Sequence, residues 1–149
     1  MYPETRFILL GGLDPNPSSL SLDEVTGWQS SGVIEWPGHV EVKPWLAQAS
    51  VFVLPSYYRE GIPRSSQEAL AMSLPIITTD WVGCKETVVN NLNGFLVPIK
   101  NVEAIVDKMI LFVKNPDLIV EMGKHSRIIA EQKFSEKDKI TAQLHYLDC

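Results

Sequence analysis

One stretch constrains this chain more than any other: Val51-Phe52-Val53-Leu54-Pro55-Ser56-Tyr57-Tyr58-Arg59-Glu60-Gly61-Ile62-Pro63-Arg64-Ser65-Ser66-Gln67-Glu68-Ala69-Leu70-Ala71-Met72. Four apolar residues closed by a proline read as a strand buried in a parallel sheet. The turn that follows has Gly61, which permits close backbone approach, and Pro63, which suits the first position of a helix. That helix opens with unsatisfied backbone N–H groups and the positive end of its dipole, a place for a phosphate or a sugar hydroxyl. Two carboxylates bracket the opening, Glu60 on the loop and Glu68 about one turn inside the helix. Carboxylates accept hydrogen bonds, so the pair suits a polyol ligand, with a sugar at one end and a ribose diol at the other. A glutamate pair taken alone is more often a turn residue and a solvated helix position. The flanking residues change that weighting.

On either side of this stretch, strand and helix patterns alternate. A strand is read over residues 6–12 and a second over 33–36, closed by Pro37-Gly38-His39-Val40. Between them Ser21-Leu22-Asp23-Glu24 has the form of a capping box for a helix to about Ser30. Residues 41–49 read as an amphipathic helix with Val42, Trp45, Leu46 and Ala49 inward. Further strands are expected at 75–79 and 95–97, a single helical turn at 86–89 and a tight turn at 90–94. Helices follow over 101–113 and 116–132, with Ser135 capping a last one. Such alternation specifies an α/β fold, a Rossmann-like parallel sheet with helices on both faces and right-handed crossovers. Ligands of such sheets bind at the carboxyl ends of the strands. Gly38, residues 56–63 and residues 80–84 all fall on that edge and are expected to form one cleft.

Composition narrows the functional classes. A length of 149 residues is that of one domain with a real core, and 45% hydrophobic with 21% charged residues is ordinary for a globular chain. A net charge of −5 without a basic patch argues against nucleic acid. Cys84 and Cys149 are widely spaced, with no metal pattern and no disulfide framework around them, which fits a reducing compartment. No signal peptide or apolar run of membrane-spanning length is present, so a cytoplasmic location is the default.

The motif Pro55-Ser56-x-x-x-Glu60-Gly61-x-Pro63-x-x-x-x-Glu68-Ala69-x-Ala71 is followed by Pro75-Ile76-Ile77-Thr78-Thr79-Asp80, by Gly83-x-x-Glu86 and by Asn93-Gly94-Phe95-Leu96-Val97-Pro98. In this order, from about Arg6 to about Phe134, they resemble the retaining "group 1" glycosyltransferases of the GT-B fold. The branch that builds lipid-linked and surface polysaccharides is the nearest in pattern. The resemblance implies that residues 1–149 are the C-terminal, nucleotide-sugar-binding domain, with the acceptor domain absent. In the family the strand at residues 6–12 is the second of its domain, after a strand, a Gly-rich loop carrying a Lys and an Arg, and a helix. The chain is therefore expected to be a fragment, inactive in isolation.

The family's roles carry over residue by residue. Glu60 would sit by the donor sugar and help to stabilise an oxocarbenium-like transition state; Glu68 would bind the ribose diol. Backbone amides at Gly61, Ile62, Arg64 and Ser65, with Ser56 and Pro63 lining the same loop, would hold sugar and diphosphate. Pro63 replaces a glycine frequent in the family and donates no N–H, which removes one such bond. The base would rest near Gly38, His39 and Val40, largely on backbone groups. Ser73 stands where a helix-capping glycine is usual, at a modest local cost. No metal and no cofactor are implied beyond the substrate nucleotide sugar, with uridine diphosphate the base-rate guess and guanosine diphosphate next. The implied partners are a glycan or lipid-linked acceptor and, for the full enzyme, the inner face of a membrane.

Plainer readings stand beside these. The His39 side chain is better read as a surface loop histidine, and His125 and His145 as surface or packing residues. Arg64 offers a planar fork to phosphate or simply faces solvent, the two being evenly balanced. Cys84 reads as a small buried loop residue. Trp28, Trp36 and Trp45 read as core, and Trp81 either covers a ligand or packs. Two rival functions remain: a sugar-nucleotide epimerase of the same architecture, and a non-catalytic nucleotide-sugar-binding module that needs a partner chain. A generic dinucleotide-binding domain is disfavoured by the lack of Gly-x-Gly-x-x-Gly.

Overall fold

Parallel pairing organises the computed structural model, which describes residues 2–13, 19–59 and 61–134. The chain divides into two compact units, Met1–Val42 and Lys43–Cys149. In the first unit, β1 (Ile8–Leu10) pairs in parallel with β2 (Glu35–Gly38), and α1 (Leu22–Ser30) connects them. Both bonds of the expected capping box form: the Glu24 amide donates to Ser21 Oγ at 3.2 Å, and the Ser21 amide donates to Glu24 Oε2 at 2.9 Å. Arg6 clasps Glu35 through Nε and Nη2, both at 2.7 Å, from the start of one strand to the start of the next. These hydrogen bonds hold the Glu35 carboxyl below its ordinary value.

Two expectations for this unit are corrected. β2 lies two residues further along than its apolar run, because Pro37 sits in a strand of a two-stranded sheet, where a missing donor is tolerated at an edge. Trp28 is 40% exposed and is not core; Val25 is the buried residue of α1. Trp36 is half-buried and donates its indole N–H to the Gly11 carbonyl at 2.8 Å.

The second unit is built on a three-stranded parallel sheet ordered β3 (Phe52–Leu54), β4 (Ile76–Thr79), β5 (Gly94–Val97). β4 is central and buried at every position, as a strand covered on both faces must be. On one face Ile77, Phe95, Val97, Phe112 and Met122 form a cluster with Val53 and Met109 against it, closed by α4 (Val102–Lys114) and α5 (Pro116–Lys133). Alternation sends Ile76 and Thr78 to the other face. There α3 (Arg64–Ala71) packs on β3 and β4 and buries Ser66, Ala69 and Leu70. The strand at 51–54 is only half-buried, contrary to expectation, because β3 pairs with β4 alone among the described residues.

Three further boundaries move for identifiable reasons. α2 is a single turn, Lys43–Leu46, and Trp45 is half-buried rather than core, with Leu46 the buried member. Pro44 forbids an earlier start, since proline is tolerated only in a first helical turn. The turn expected at 86–89 is a 3₁₀ turn, Cys84–Thr87, that begins just after Gly83 at φ 86°. Pro63 is the cap of α3, at φ −60° and ψ 128°, not its first helical residue. Ser73 takes the left-handed conformation, φ 61°, that its place after α3 demands. The helix expected after Ser135 lies outside the described residues, as do His145 and Cys149.

Candidate functional site

Three loops leave the carboxyl edge of the three-stranded sheet, after β3, β4 and β5. The first is anchored by threonines of the central strand. Thr78 Oγ1 donates to the Leu54 carbonyl at 2.8 Å, and Thr79 Oγ1 donates to the Ser56 carbonyl. Both threonines are buried, so these bonds fix the exit of the chain from β3 as far as Ser56. Ser56 is half-buried, and its hydroxyl accepts from the Tyr58 amide at 3.4 Å. Gly61 is exposed, and a Cβ built on it meets nothing within 4 Å.

α3 then begins under Pro63. Proline at the cap offers no side-chain acceptor, and no cap hydrogen bond forms. The first intrahelical contact is the Gln67 amide to the Pro63 carbonyl, 3.2 Å, so the amides of Arg64, Ser65 and Ser66 have no acceptor among the described residues. Two buried polar side-chain atoms lack a partner among those residues, and both belong to this edge: Ser66 Oγ in the first turn of α3 and Trp81 Nε1 after β4. Such orphans are uncommon and collect where a site is built.

Arg64 is exposed and Glu68 half-buried, four residues apart and so on one face of the helix. They form no ion pair, which leaves a donor fork and a carboxylate side by side at the helix entrance. Glu60, the candidate for the sugar-side carboxylate, lies outside the described residues. Of the expected cleft, Ser56, Gly61, Ile62, Pro63, Arg64, Ser65 and residues 80–84 share this edge. Gly38, His39 and Val40 lie at the carboxyl end of β2 in the other unit, where Gly38 has φ 82° and its carbonyl accepts from the Gly11 amide at 3.0 Å. His39 is exposed, as its surface reading requires, and Cys84 is fully buried.

The sequence reading passed over Lys100. It follows β5 with φ 54°, and its Nζ stands 4.9 Å from the centroid of the Tyr57 ring. Trp81, left open between covering a ligand and packing, has the Arg59 guanidinium over its ring at 5.9 Å. No helix among the described residues is long and apolar enough to cross a membrane.

Residues 2–115 match the family described as "Glycosyl transferases group 1". The chain is 31% identical over 141 residues to the N,N'-diacetylbacillosaminyl-diphospho-undecaprenol alpha-1,3-N-acetylgalactosaminyltransferase of Campylobacter jejuni, covering 94% of this chain and 35% of that protein. It is 38% identical over 132 residues to the capsular polysaccharide biosynthesis glycosyltransferase CapM of Staphylococcus aureus, covering 89% and 34%. The chain thus spans about a third of the length of these relatives. Among solved structures, an Anabaena protein, HepE, in complex with UDP superposes with a TM-score of 0.80 at 19% identity, covering 97% of this chain and 42% of that one. Sucrose-phosphate synthase of Thermosynechococcus elongatus gives 0.79 at 24%, covering 94% and 37%. The shared fold is that of GT-B glycosyltransferases, of which these residues form a part. With that fold, and with the sequence match running unbroken from β1 past the carboxyl-edge loops, the chain belongs to the group 1 glycosyltransferases.

Proposed function

We propose that this chain is the donor-binding C-terminal domain of a retaining hexosyltransferase that takes a sugar from a nucleotide diphosphate, UDP in the first instance, to a glycan or lipid-linked acceptor. The observation that carries the reading is the entrance of α3, where three unpaired amides, the Arg64 fork and the Glu68 carboxylate stand together. Amides at a helix N-terminus with the dipole behind them suit a diphosphate, and Arg64 adds two parallel donors. Glu68 suits a ribose diol, as the family resemblance assigns it. Two relatives give the reading its direction: the Campylobacter enzyme is named for a diphospho-undecaprenol acceptor, and HepE was solved with UDP-glucose as well as UDP.

In this reading Glu60 faces the donor sugar as the anomeric carbon gains positive charge. The diphosphate leaves against the α3 amides, which stabilise it without any metal ion. The family resemblance alone assigns the base to the backbone of Gly38, His39 and Val40. Acceptor binding and transfer belong to the longer enzyme, whose cytoplasmic face of the membrane is where a lipid-linked acceptor would be met.

Calorimetric titration with UDP, UDP-N-acetylglucosamine and GDP-mannose tests the donor site. Selective binding of one nucleotide is expected, falling at least tenfold in Glu68→Ala, as the loss of a charged hydrogen bond requires. Unchanged affinity in that variant would remove Glu68 from the ribose site.

A further inference from the structure

The segment 55–62, which the donor reading sets beside the sugar, is held by side chains from outside it. Near one end Thr79 Oγ1 donates to the Ser56 carbonyl, and at the other Gln67 Nε2 donates to the Ile62 carbonyl at 3.3 Å. Between these points come Tyr57, Tyr58 and Arg59, all exposed, and then Glu60. Two neighbouring loops reach that middle stretch. The Arg59 guanidinium lies 5.9 Å from the centroid of the Trp81 ring, on the loop after β4. Lys100 Nζ, on the turn after β5, lies 4.9 Å from the centroid of the Tyr57 ring, and Tyr57 in turn stacks on Tyr58 with centroids 4.9 Å apart.

Lys100 stands on a firm base. β5 ends at Val97, and Asn101, the residue after Lys100, caps α4 by accepting from the Ala104 amide at 3.0 Å. Lys100 forms no ion pair among the described residues. Its φ of 54° is one that glycine adopts freely and that other residues hold at some cost. The chain keeps a lysine where its backbone alone would favour glycine, and that lysine meets the donor loop.

We propose that Lys100 is a positioning residue for the donor loop, acting through Tyr57, three residues before Glu60, and not by touching the ligand. The inference rests on the transferase reading above and adds a residue to it. A group aimed at developing charge works only if the backbone that carries it is held in place. Gly61 has open space around it, so close packing does not fix this stretch. The ammonium on the Tyr57 ring and the Tyr57–Tyr58 stack instead tie it to a turn made rigid by β5 and α4.

The test reads loop and ligand separately in the unchanged chain, in Lys100→Gly and in Lys100→Arg. Chymotryptic cleavage after Tyr57 and Tyr58, followed by mass spectrometry without nucleotide, reads the loop. Calorimetric titration with UDP and with UDP-N-acetylglucosamine reads the site. In Lys100→Gly cleavage is expected to be roughly two- to fivefold faster and the sugar nucleotide to bind roughly two- to fivefold more weakly, the range of one exposed cation–ring contact. UDP alone, which the donor reading places on the α3 amides and Glu68, should bind as before. The unfolding midpoint should not fall, because glycine suits the observed backbone. Lys100→Arg keeps a cation and should match the unchanged chain throughout. Unaltered cleavage in Lys100→Gly would overturn the proposal. So would an equal loss for UDP, which would mark direct contact between ammonium and phosphate, or an arginine variant no better than the glycine one. If no nucleotide binds the unchanged chain, the donor reading falls, and the cleavage rates alone decide whether Lys100 holds the loop.

Discussion

The two edges of the three-stranded sheet are built on opposite terms. At the amino edge Asn93, Gly94 and Gly123 are each held by close contacts. Asn93 is fully buried, and its side chain accepts from the Val89 amide at 2.8 Å and donates to the Thr87 carbonyl at 3.0 Å and to Ser126 Oγ at 3.4 Å. Gly94 passes so close to β4 that a Cβ would stand 1.8 Å from the Ile76 carbonyl oxygen. Gly123 of α5 meets the turn after α3 with similar closeness, 2.3 Å from a built Cβ to the Ser73 carbonyl oxygen. At the carboxyl edge Gly61 has open space, the first three amides of α3 have no acceptor among the described residues, and Tyr57 and Tyr58 are exposed. One edge holds the fold and the other is kept available. A protein that must grip a charged ligand has to leave donors unsatisfied somewhere, and the cost is tolerable only where the opposite side is rigid.

The contrast is sharpest between its glycines. Gly94→Ala should break the β4–β5 pairing and cost 3 kcal/mol or more, roughly the upper range for overpacking against a backbone that cannot move, as read by denaturant unfolding. Gly61→Ala should leave stability within about 0.5 kcal/mol. Equal losses in the two would dissolve the distinction between the edges. Asn93→Ala comes next. It strands the Val89 amide and the Thr87 carbonyl in the interior, and a loss of about 2–3 kcal/mol is expected in the same measurement, with UDP affinity unchanged in the folded fraction.

Much of this was legible beforehand, and the failures are instructive. The 51–72 stretch and the alternation of strands and helices stood out because short apolar runs are bounded by proline and glycine, which mark where one element stops and the next starts. The entrance of α3 was equally plain, since glycine, proline and the carboxylate spacing are local features. Asn93 was read only as a turn former. Its burial depends on Ser126, 33 residues away, and no local pattern encodes a partner at that distance. Lys100 was missed for the same reason: its meaning comes from Tyr57 on a loop two strands away in the sheet. Trp28 was assigned to the core on residue type alone; it shares a helix face with buried Val25 yet stays 40% exposed.

A smaller effect than that of Asn93→Ala is expected in the turn after α3. Ser73→Gly should relieve the left-handed backbone after α3 and raise stability by about 1 kcal/mol, visible as a higher unfolding midpoint. A decrease would mean that the serine side chain holds the turn in a way that the backbone does not reveal.

The Asn93–Ser126 link also dictates an order of events during synthesis. The corner that locks β5 against its sheet is completed by a hydroxyl on α5, 33 residues downstream. A ribosome releases the chain from its N-terminus, so the strands emerge before the residue that fastens them. Until α5 leaves the exit tunnel and docks, the Asn93 amide has no Ser126 to meet. The three-stranded sheet is therefore finished late, by a helix that follows all of its strands in the chain.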